Sequence, residues 1–192
     1  MEYDWKNAIS IILKEVTGLE PRDYSSINGS PEKGYIQKET VSVKLSIQLT
    51  SDPIKIIRAV QEKISDSSYL VFLGESSLYH DDKMIVELVV GRGNSQEDIV
   101  RLAETSAPSY ELDTEGVITQ LKKLYEHAEI EIIGADESSV SIRVKRVKTN
   151  LEKLSKVMFS ICVDLCQNEI YSDEKTLANY LKEDDLVIFR WD

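Results

Sequence analysis

The sequence predicts an α+β protein in which helices pack on a mixed or antiparallel sheet. Three observations carry this prediction. The chain has 192 residues, of which 42% are hydrophobic, and this is enough for a packed core. Several segments repeat apolar residues every three or four positions, as amphipathic helices do. Other segments alternate apolar with polar residues, or are continuously apolar over a few positions, as strands are.

The chain begins with a predicted helix and a polar loop. Gly18 ends the helix, and residues 19–39 are rich in Gly, Pro and Ser, which is typical of a loop. We therefore assign residues 1–40 to an N-terminal helix and loop, and residues 41–192 to an α+β domain. The apolar positions that predict the helix are Trp5, Ala8, Ile9, Ile12, Leu13 and Val16.

The first half of the α+β domain begins with a strand. Apolar and polar residues alternate strictly over 41–49, which predicts one buried face and one solvent-exposed face that carries Ser42 and Lys44. Pro53 then opens a helix that extends to Ile64. The remaining elements predicted here are strands over 69–73 and 84–90, a turn over 91–94 and a helix that carries Ile99, Val100 and Leu102.

The second half of the domain repeats this order. Its predicted elements are a helix capped by Asp113 or Thr114, strands over 130–133 and 140–144, a helix over about 150–166, a short helix over 175–181, and a strand over 186–189. VFLGESS (71–77) can be aligned with IIGADESS (132–139), which places Gly74 opposite Gly134. Two interpretations stay open: two degenerate αββα sub-units, 41–107 and 108–192, or chance similarity.

Charge narrows the classes of partner. The formal net charge is -11, which repels nucleic acid and anionic membranes and attracts a basic protein. No segment approaches the roughly 20 apolar residues that span a bilayer, and the N-terminus lacks the pattern of a signal peptide. Two cysteines do not make a disulfide framework. We expect a cytoplasmic protein that binds neither nucleic acid nor membrane.

Two loops could hold ligands. Gly91-Arg92-Gly93 lies between a strand and a helix, where a phosphate could bind, but it lacks the full dinucleotide or P-loop motif, and a tight turn explains the glycines. Asn94 and Glu97 have the spacing of a helix cap. Residues 79–82, Tyr-His-Asp-Asp, could coordinate a divalent ion or form an ordinary solvated loop. We expect no bound metal and no cofactor.

The cysteines and one basic stretch have ordinary structural explanations. Cys162 and Cys166 are four positions apart on a predicted helix, and Cys162 shares its apolar stripe, so we expect a buried core thiol. Arg143 and Lys145 lie on the polar face of a predicted strand. Such residues guard a sheet edge against aggregation, or alternatively bind an anion or an acidic partner.

Four segments resemble a bacterial family catalogued as a domain of unknown function (family 4253). They are DIVRLAETSAPSYELDT (98–114), GVITQLKKLYEHAEIEIIGAD (116–136), FSICVDLCQ (159–167) and IFRWD (188–192). The resemblance extends from about Tyr69 to Asp192. Val163 replaces a family proline, Ser138-Ser139 replaces a tryptophan, and Phe189-Arg190 replaces a more aromatic pair. The resemblance implies small cytoplasmic bacterial proteins that are sometimes compared with immunity proteins of toxin systems.

The sequence supports two hypotheses of function and leaves open whether the protein is an enzyme. The first is a non-enzymatic binding protein, in particular an immunity protein that covers the active site of a basic toxin domain. The alternative is a small-molecule-binding or enzymatic domain with a pocket near the C-terminal Trp-Asp, because pockets combine aromatic and polar groups. That pocket would gather Tyr110, Asp113, Cys162, Asp164, Trp191 and Asp192.

Overall fold

The chain divides into two compact units, an N-terminal unit (Met1–Ala103) and a C-terminal unit (Glu104–Asp192). The structure is a computed structural model that describes residues 5–23, 40–48, 54–64, 68–79, 83–168 and 170–191. Across these ranges, every helix is too short or too polar to cross a membrane. The predicted ligand loop at 79–82 lies outside them, apart from Tyr79.

The N-terminal unit contributes three antiparallel strands in the order β1-β3-β2. Its elements are α1 (Trp5–Thr17), β1 (Thr40–Gln48), α2 (Ile54–Lys63), β2 (Tyr69–Tyr79), β3 (Lys83–Arg92) and α3 (Glu97–Ala103). Helices α1 and α3 pack on opposite faces of this sheet. The Arg92 guanidinium lies 5.0 Å from the centre of the Trp5 ring of α1. The neighbouring Gly91 lies so close to α3 that an added Cβ would be 2.7 Å from Leu102 Cδ1. Because successive residues of a strand face opposite sides of the sheet, α3 lies on the face opposite to α1.

The prediction that the polar face of β1 is solvent-exposed is wrong at Ser42. Ser42 is fully buried, as is Thr40. The reason is tertiary: this face lies under α3 and beside Arg22, whose main chain exchanges hydrogen bonds of 2.8 and 2.7 Å with Ser42. The Ser42 hydroxyl donates to Glu87 Oε1 at 2.6 Å, and Arg22 Nη2 donates to the same oxygen at 2.8 Å. Glu87 is only 3% exposed, so the sheet holds a buried carboxylate that these two donors satisfy.

The C-terminal unit contributes three antiparallel strands, in the order β4-β5-β6. Its elements are α4 (Thr114–Lys122), β4 (Ala128–Ala135), β5 (Ser139–Val147), α5 (Leu151–Ile161), α6 (Glu174–Tyr180) and β6 (Leu186–Arg190), with 3-10 turns at Pro108–Tyr110, Lys123–Glu126 and Val163–Gln167. The largest fully buried side chains of this unit are Ile118, Leu121, Leu124, Ile142, Leu154, Met158, Leu177 and Phe189.

Two predictions for this unit are wrong. Strand β5 pairs with β4 and, through Ser139–Arg143, with β6, so Arg143 does not guard a sheet edge. The helix predicted over 150–166 ends at Ile161, because Cys162 takes an extended backbone conformation (φ -141, ψ 101) and a 3-10 turn follows. The two cysteines are therefore not on one helix.

The α+β fold class is confirmed. Each unit places a β-hairpin between two helices, in the orders α2-β2-β3-α3 and α4-β4-β5-α5, and adds its third strand beside the second strand of the hairpin. Gly74 and Gly134, the aligned glycines, both lie at register shifts in the first hairpin strand.

Candidate functional site

Tyr110 and Asp164 form the polar centre of the predicted site. Tyr110 ends the 3-10 turn Pro108–Tyr110, in a loop closed by a bridge between Ala107 and Leu112. Its hydroxyl donates a 2.8 Å hydrogen bond to Asp164 Oδ2. This bond to the carboxylate is the main reason that the pKa of Tyr110 rises to about 12. The phenol therefore stays protonated at neutral pH and acts as a donor.

Asp164 lies in the 3-10 turn Val163–Gln167 that follows α5. Its second carboxylate oxygen, Oδ1, accepts a 3.1 Å hydrogen bond from Gln167 Nε2. Both oxygens of this half-buried carboxylate thus have protein donors. Because α5 ends at Ile161, Asp164 meets Tyr110 from a 3-10 turn and not from the helix predicted over 150–166.

Cys162 is fully buried at the end of α5. Its thiol donates to the main-chain oxygen of Arg190 in β6, with Sγ 3.0 Å from the oxygen. Burial is the main reason that the pKa of this thiol rises to about 11, and the neighbouring charge of Asp164 adds to the effect. A nucleophilic cysteine needs a lowered pKa, so Cys162 is a structural donor. Cys166, by contrast, is exposed.

Trp191 packs into the body of the unit, as predicted, and is 2% exposed. Its indole Nε1 donates to the Ile161 main-chain oxygen at 3.3 Å. Its ring stacks on that of Phe189, with 6.1 Å between centroids and 18° between planes. Cys162 and Trp191 therefore connect the end of α5 to β6, and neither presents a free polar group to a ligand.

Asp113 is the N-cap of α4, as the sequence predicts. Its carboxylate accepts a 2.8 Å hydrogen bond from the Gly116 amide, which satisfies one of the unpaired amides of the first helical turn. Asp192 lies outside the described residues. The structure thus joins Tyr110 to Asp164 and places Cys162 two residues away, while Asp113 serves its own helix.

Two tyrosines beside β6 were missed by the sequence reasoning. Tyr171 and Tyr180 flank α6, and their ring centroids are 5.0 Å apart. Burial raises the pKa of Tyr171, and the neighbouring Ile188 main chain partly offsets this effect. Burial, and then the charge of Asp184, raise the pKa of Tyr180. The only signal in the sequence was a tyrosine at each end of a short helix.

The Gly91-Arg92-Gly93 turn is closed by the protein's own carboxylate. Asp98 Oδ2 accepts the amides of Asn94 at 2.8 Å and Ser95 at 3.0 Å, so Asn94 is not the helix cap that its spacing predicted. Burial alone would raise the pKa of Asp98, but these hydrogen bonds and Arg101 lower it. A Cβ on Gly93 would be 2.7 Å from Asp98 Cβ. A tight turn therefore explains the glycines.

The basic stretch of β5 is paired with acidic residues. Arg143 Nε donates to Asp185 Oδ2 at 3.0 Å, and Lys145 Nζ lies 2.6 Å from Glu131 Oε2. Arg146 pairs with Glu129 on β4. These cations are therefore not an open anion site. Within the described ranges, no group of three His, Cys, Asp or Glu residues is arranged to hold a metal ion.

These features define an α+β domain whose candidate site is closed by hydrogen bonds between its own side chains and main chain. A family model described as Domain of unknown function (DUF4253) matches residues 87–192. This is more than half of the chain, so the protein belongs to this family, as the sequence resemblance predicted. Searches of curated proteins and of solved structures found no match.

Proposed function

We propose that the protein is a non-enzymatic protein-binding domain that captures a basic partner. The observation that carries this proposal is that polar groups of the predicted pocket are already hydrogen-bonded within the protein. The Tyr110 hydroxyl, the Cys162 thiol and the Trp191 indole each donate to another group of the protein. General acids and bases work best with pKa values near the working pH, whereas the pKa values of Tyr110 and Cys162 rise to about 12 and about 11.

Charge supports the same proposal. The net charge is -11, and residues 163–188 contribute seven acidic against two basic side chains. Opposite charge accelerates association and selects the partner. An immunity protein that covers the cationic active site of a toxin is the particular form that we propose, because many toxin substrates are polyanions and their clefts are basic.

The small-molecule alternative has less support. Its pocket would need the tryptophan and the polar groups around it to face a ligand, but Trp191 is buried and its indole N–H is bonded to Ile161. A thermal-shift screen against nucleotides, metals and metabolites tests this alternative. A single chemical class that raises the melting temperature strongly would favour it over protein binding.

Affinity purification from the native host, followed by reconstitution with the purified partner, tests the main proposal. We expect a 1:1 complex with a basic protein, by size-exclusion chromatography with light scattering, whose Kd rises with salt. Neutralising Glu174→Gln, Glu183→Gln and Asp184→Asn together should weaken it. The matched control is Glu115→Gln, Glu126→Gln and Glu152→Gln, which changes the net charge equally at other exposed positions. Equal effects of the two triple variants, or no stoichiometric protein partner, would count against the proposal.

A further inference from the structure

The outer edge of β6 is closed to strand addition. Val144 N–H donates to Asp185 O, and Trp191 N–H donates to Ser138 O, at 2.8 and 2.9 Å. Main-chain groups that face the partner strand alternate along an antiparallel strand. Those of Leu186, Ile188 and Arg190 therefore face away from β5.

Side chains from the preceding segment occupy these outward groups. The Leu186 amide donates to Asp184 Oδ1 at 3.1 Å. The Tyr171 hydroxyl lies next to the Ile188 main chain, and the Arg190 carbonyl accepts from the Cys162 thiol. A partner strand would have to displace all three side chains, so binding by strand addition is disfavoured.

The same edge exposes three large apolar side chains, Val163, Ile170 and Ile188, which are 57%, 66% and 41% exposed. All three belong to β6 or to segments that lie against it. Val163 adjoins Cys162, which contacts Arg190, and Ile170 adjoins Tyr171, which contacts Ile188. We call Val163, Ile170 and Ile188 the β6 rim. Among the described residues, the other large apolar side chains this exposed are Ile11 and Leu19 of the N-terminal unit.

Acidic side chains flank the β6 rim. They are Asp173, Glu174, Glu183 and Asp184, all of them exposed, and none forms an ion pair with another described residue. Apolar side chains at the centre of a patch and charged ones at its border are typical of protein interfaces. The same segments also carry three exposed cations, Lys175, Lys182 and Arg190, so the four carboxylates leave only a small excess of negative charge, whose sign is complementary to lysine and arginine.

We propose that the β6 rim docks a protein that presents an apolar cluster surrounded by lysine and arginine, through side-chain contacts without strand addition. The proposal rests on the protein-binding function above and identifies its surface and the chemistry of its partner. Val163, Ile170 and Ile188 supply the apolar contacts. The four flanking carboxylates supply charge pairing.

A synthetic amphipathic helix of leucine and lysine serves as the probe, with the full chain as the target. The control peptides replace leucine by serine at equal charge, or lysine by glutamate. We expect only the first peptide to shift backbone amide NMR signals within 162–171 and 184–190. Val163→Thr, Ile170→Thr and Ile188→Thr together should raise its Kd about tenfold or more, equivalent to ~1.4 kcal/mol. Ile11→Thr, at an exposed position of α1, should leave the Kd unchanged.

Two results would overturn the proposal: signals that shift elsewhere on the chain, or an equal Kd for the rim variant and the wild-type chain. Circular dichroism of the rim variant verifies that it is folded. Binding of the native partner to the rim variant distinguishes this proposal from the protein-binding proposal above. A native partner that binds the rim variant as tightly as the wild type would refute the β6 rim and leave protein binding standing, whereas the lack of any partner would refute protein binding itself.

Discussion

Cys162 shows how burial decides the chemistry of a single residue. The thiol is enclosed, donates to Arg190 O and has a pKa of about 11, whereas Cys166 is exposed. Because only the thiolate reacts, we expect a thiol reagent to label Cys166 and leave Cys162 unlabelled in the folded protein. Mass spectrometry of labelled peptides would verify this. Cys166→Ser should show no rapid labelling until denaturant is added, and fast labelling of that variant under native conditions would contradict the assignment.

The Tyr110–Asp164 hydrogen bond predicts a loss of stability at high pH. The pKa of Tyr110 rises from 10.0 to about 12 on folding. The contribution of this bond is therefore complete below pH 10 and is lost as the pH rises towards 12. Tyr110→Phe should lower the free energy of unfolding by about 0.5–1.5 kcal/mol at neutral pH. Denaturant melts at several pH values would measure the difference, which should shrink above pH 10. A difference that is constant with pH would refute the assigned bond.

The sequence predicts residue roles well where the cause is local. The sequence left the cap of α4 to Asp113 or Thr114, and the structure assigns it to Asp113, whose partner, the Gly116 amide, is three positions away. Tyr110 and Asp164 were named as site residues through the family resemblance, but their contact spans 54 positions. The donation from Cys162 to Arg190 spans 28 positions. Such pairs depend on where α5 ends, and spacing along the chain carries no information about them.

At the scale of the element, strand β1 offers two buried hydroxyls in different environments. Ser42 Oγ donates to the buried carboxylate of Glu87, whereas Thr40 Oγ1 has no hydrogen-bond partner among the described residues. Ser42→Ala should cost about 1.5–3 kcal/mol, because it removes a bond to a charged acceptor. Thr40→Val keeps the shape and removes an unsatisfied group, so it should be neutral or stabilising. Denaturant unfolding of both variants tests the pair, and an equal loss from each would contradict the assigned bond.

Strand β6 is an integral element, and its residues are not equivalent. Val187 and Phe189 are fully buried, but Ile188 is exposed. Phe189→Ala should lower the free energy of unfolding by about 3–5 kcal/mol, whereas Ile188→Thr should change it by less than about 0.5 kcal/mol. Deletion of residues 186–192 should unfold the protein, because a domain has only about 5–15 kcal/mol of net stability. A soluble truncated chain that melts close to the full-length protein would refute the role of β6.

The apolar pattern of the sequence predicted the bounds of some elements correctly and misplaced those of others. Leu186–Arg190 was predicted within one residue because its run is too apolar for a free tail. The end of α5 was placed five residues too late, because Leu165 and Cys166 continue the apolar spacing while the backbone turns at Cys162. The burial of Ser42 depends on contacts with Arg22 and Glu87, which come from distant parts of the sequence.

At the scale of the whole molecule, the family match and the compact units have different boundaries. The match begins at residue 87, in the middle of β3, whereas the C-terminal unit begins at Glu104. Residues 87–92 pair with β1 and β2, so they belong to the sheet of the N-terminal unit. The C-terminal unit has three strands that pair with one another and a buried core, which includes Ile142, Leu154 and Phe189.

We therefore predict that residues 104–192 fold without the N-terminal unit, and that residues 87–103 add no stability to them. Without the rest of the N-terminal unit, residues 87–103 lose the strands that they pair with, and buried side chains such as Leu88, Val90 and Val100 lose the contacts that bury them. The fragments 104–192 and 87–192 should both melt cooperatively by circular dichroism, with melting temperatures within about 4 °C, which is ~1 kcal/mol at this size. Phe189→Ala in the shorter fragment is the control and should lower its melting temperature clearly. If 87–192 melts cooperatively while 104–192 does not, the domain follows the family boundary, and Glu104 is not where an independent folding unit begins.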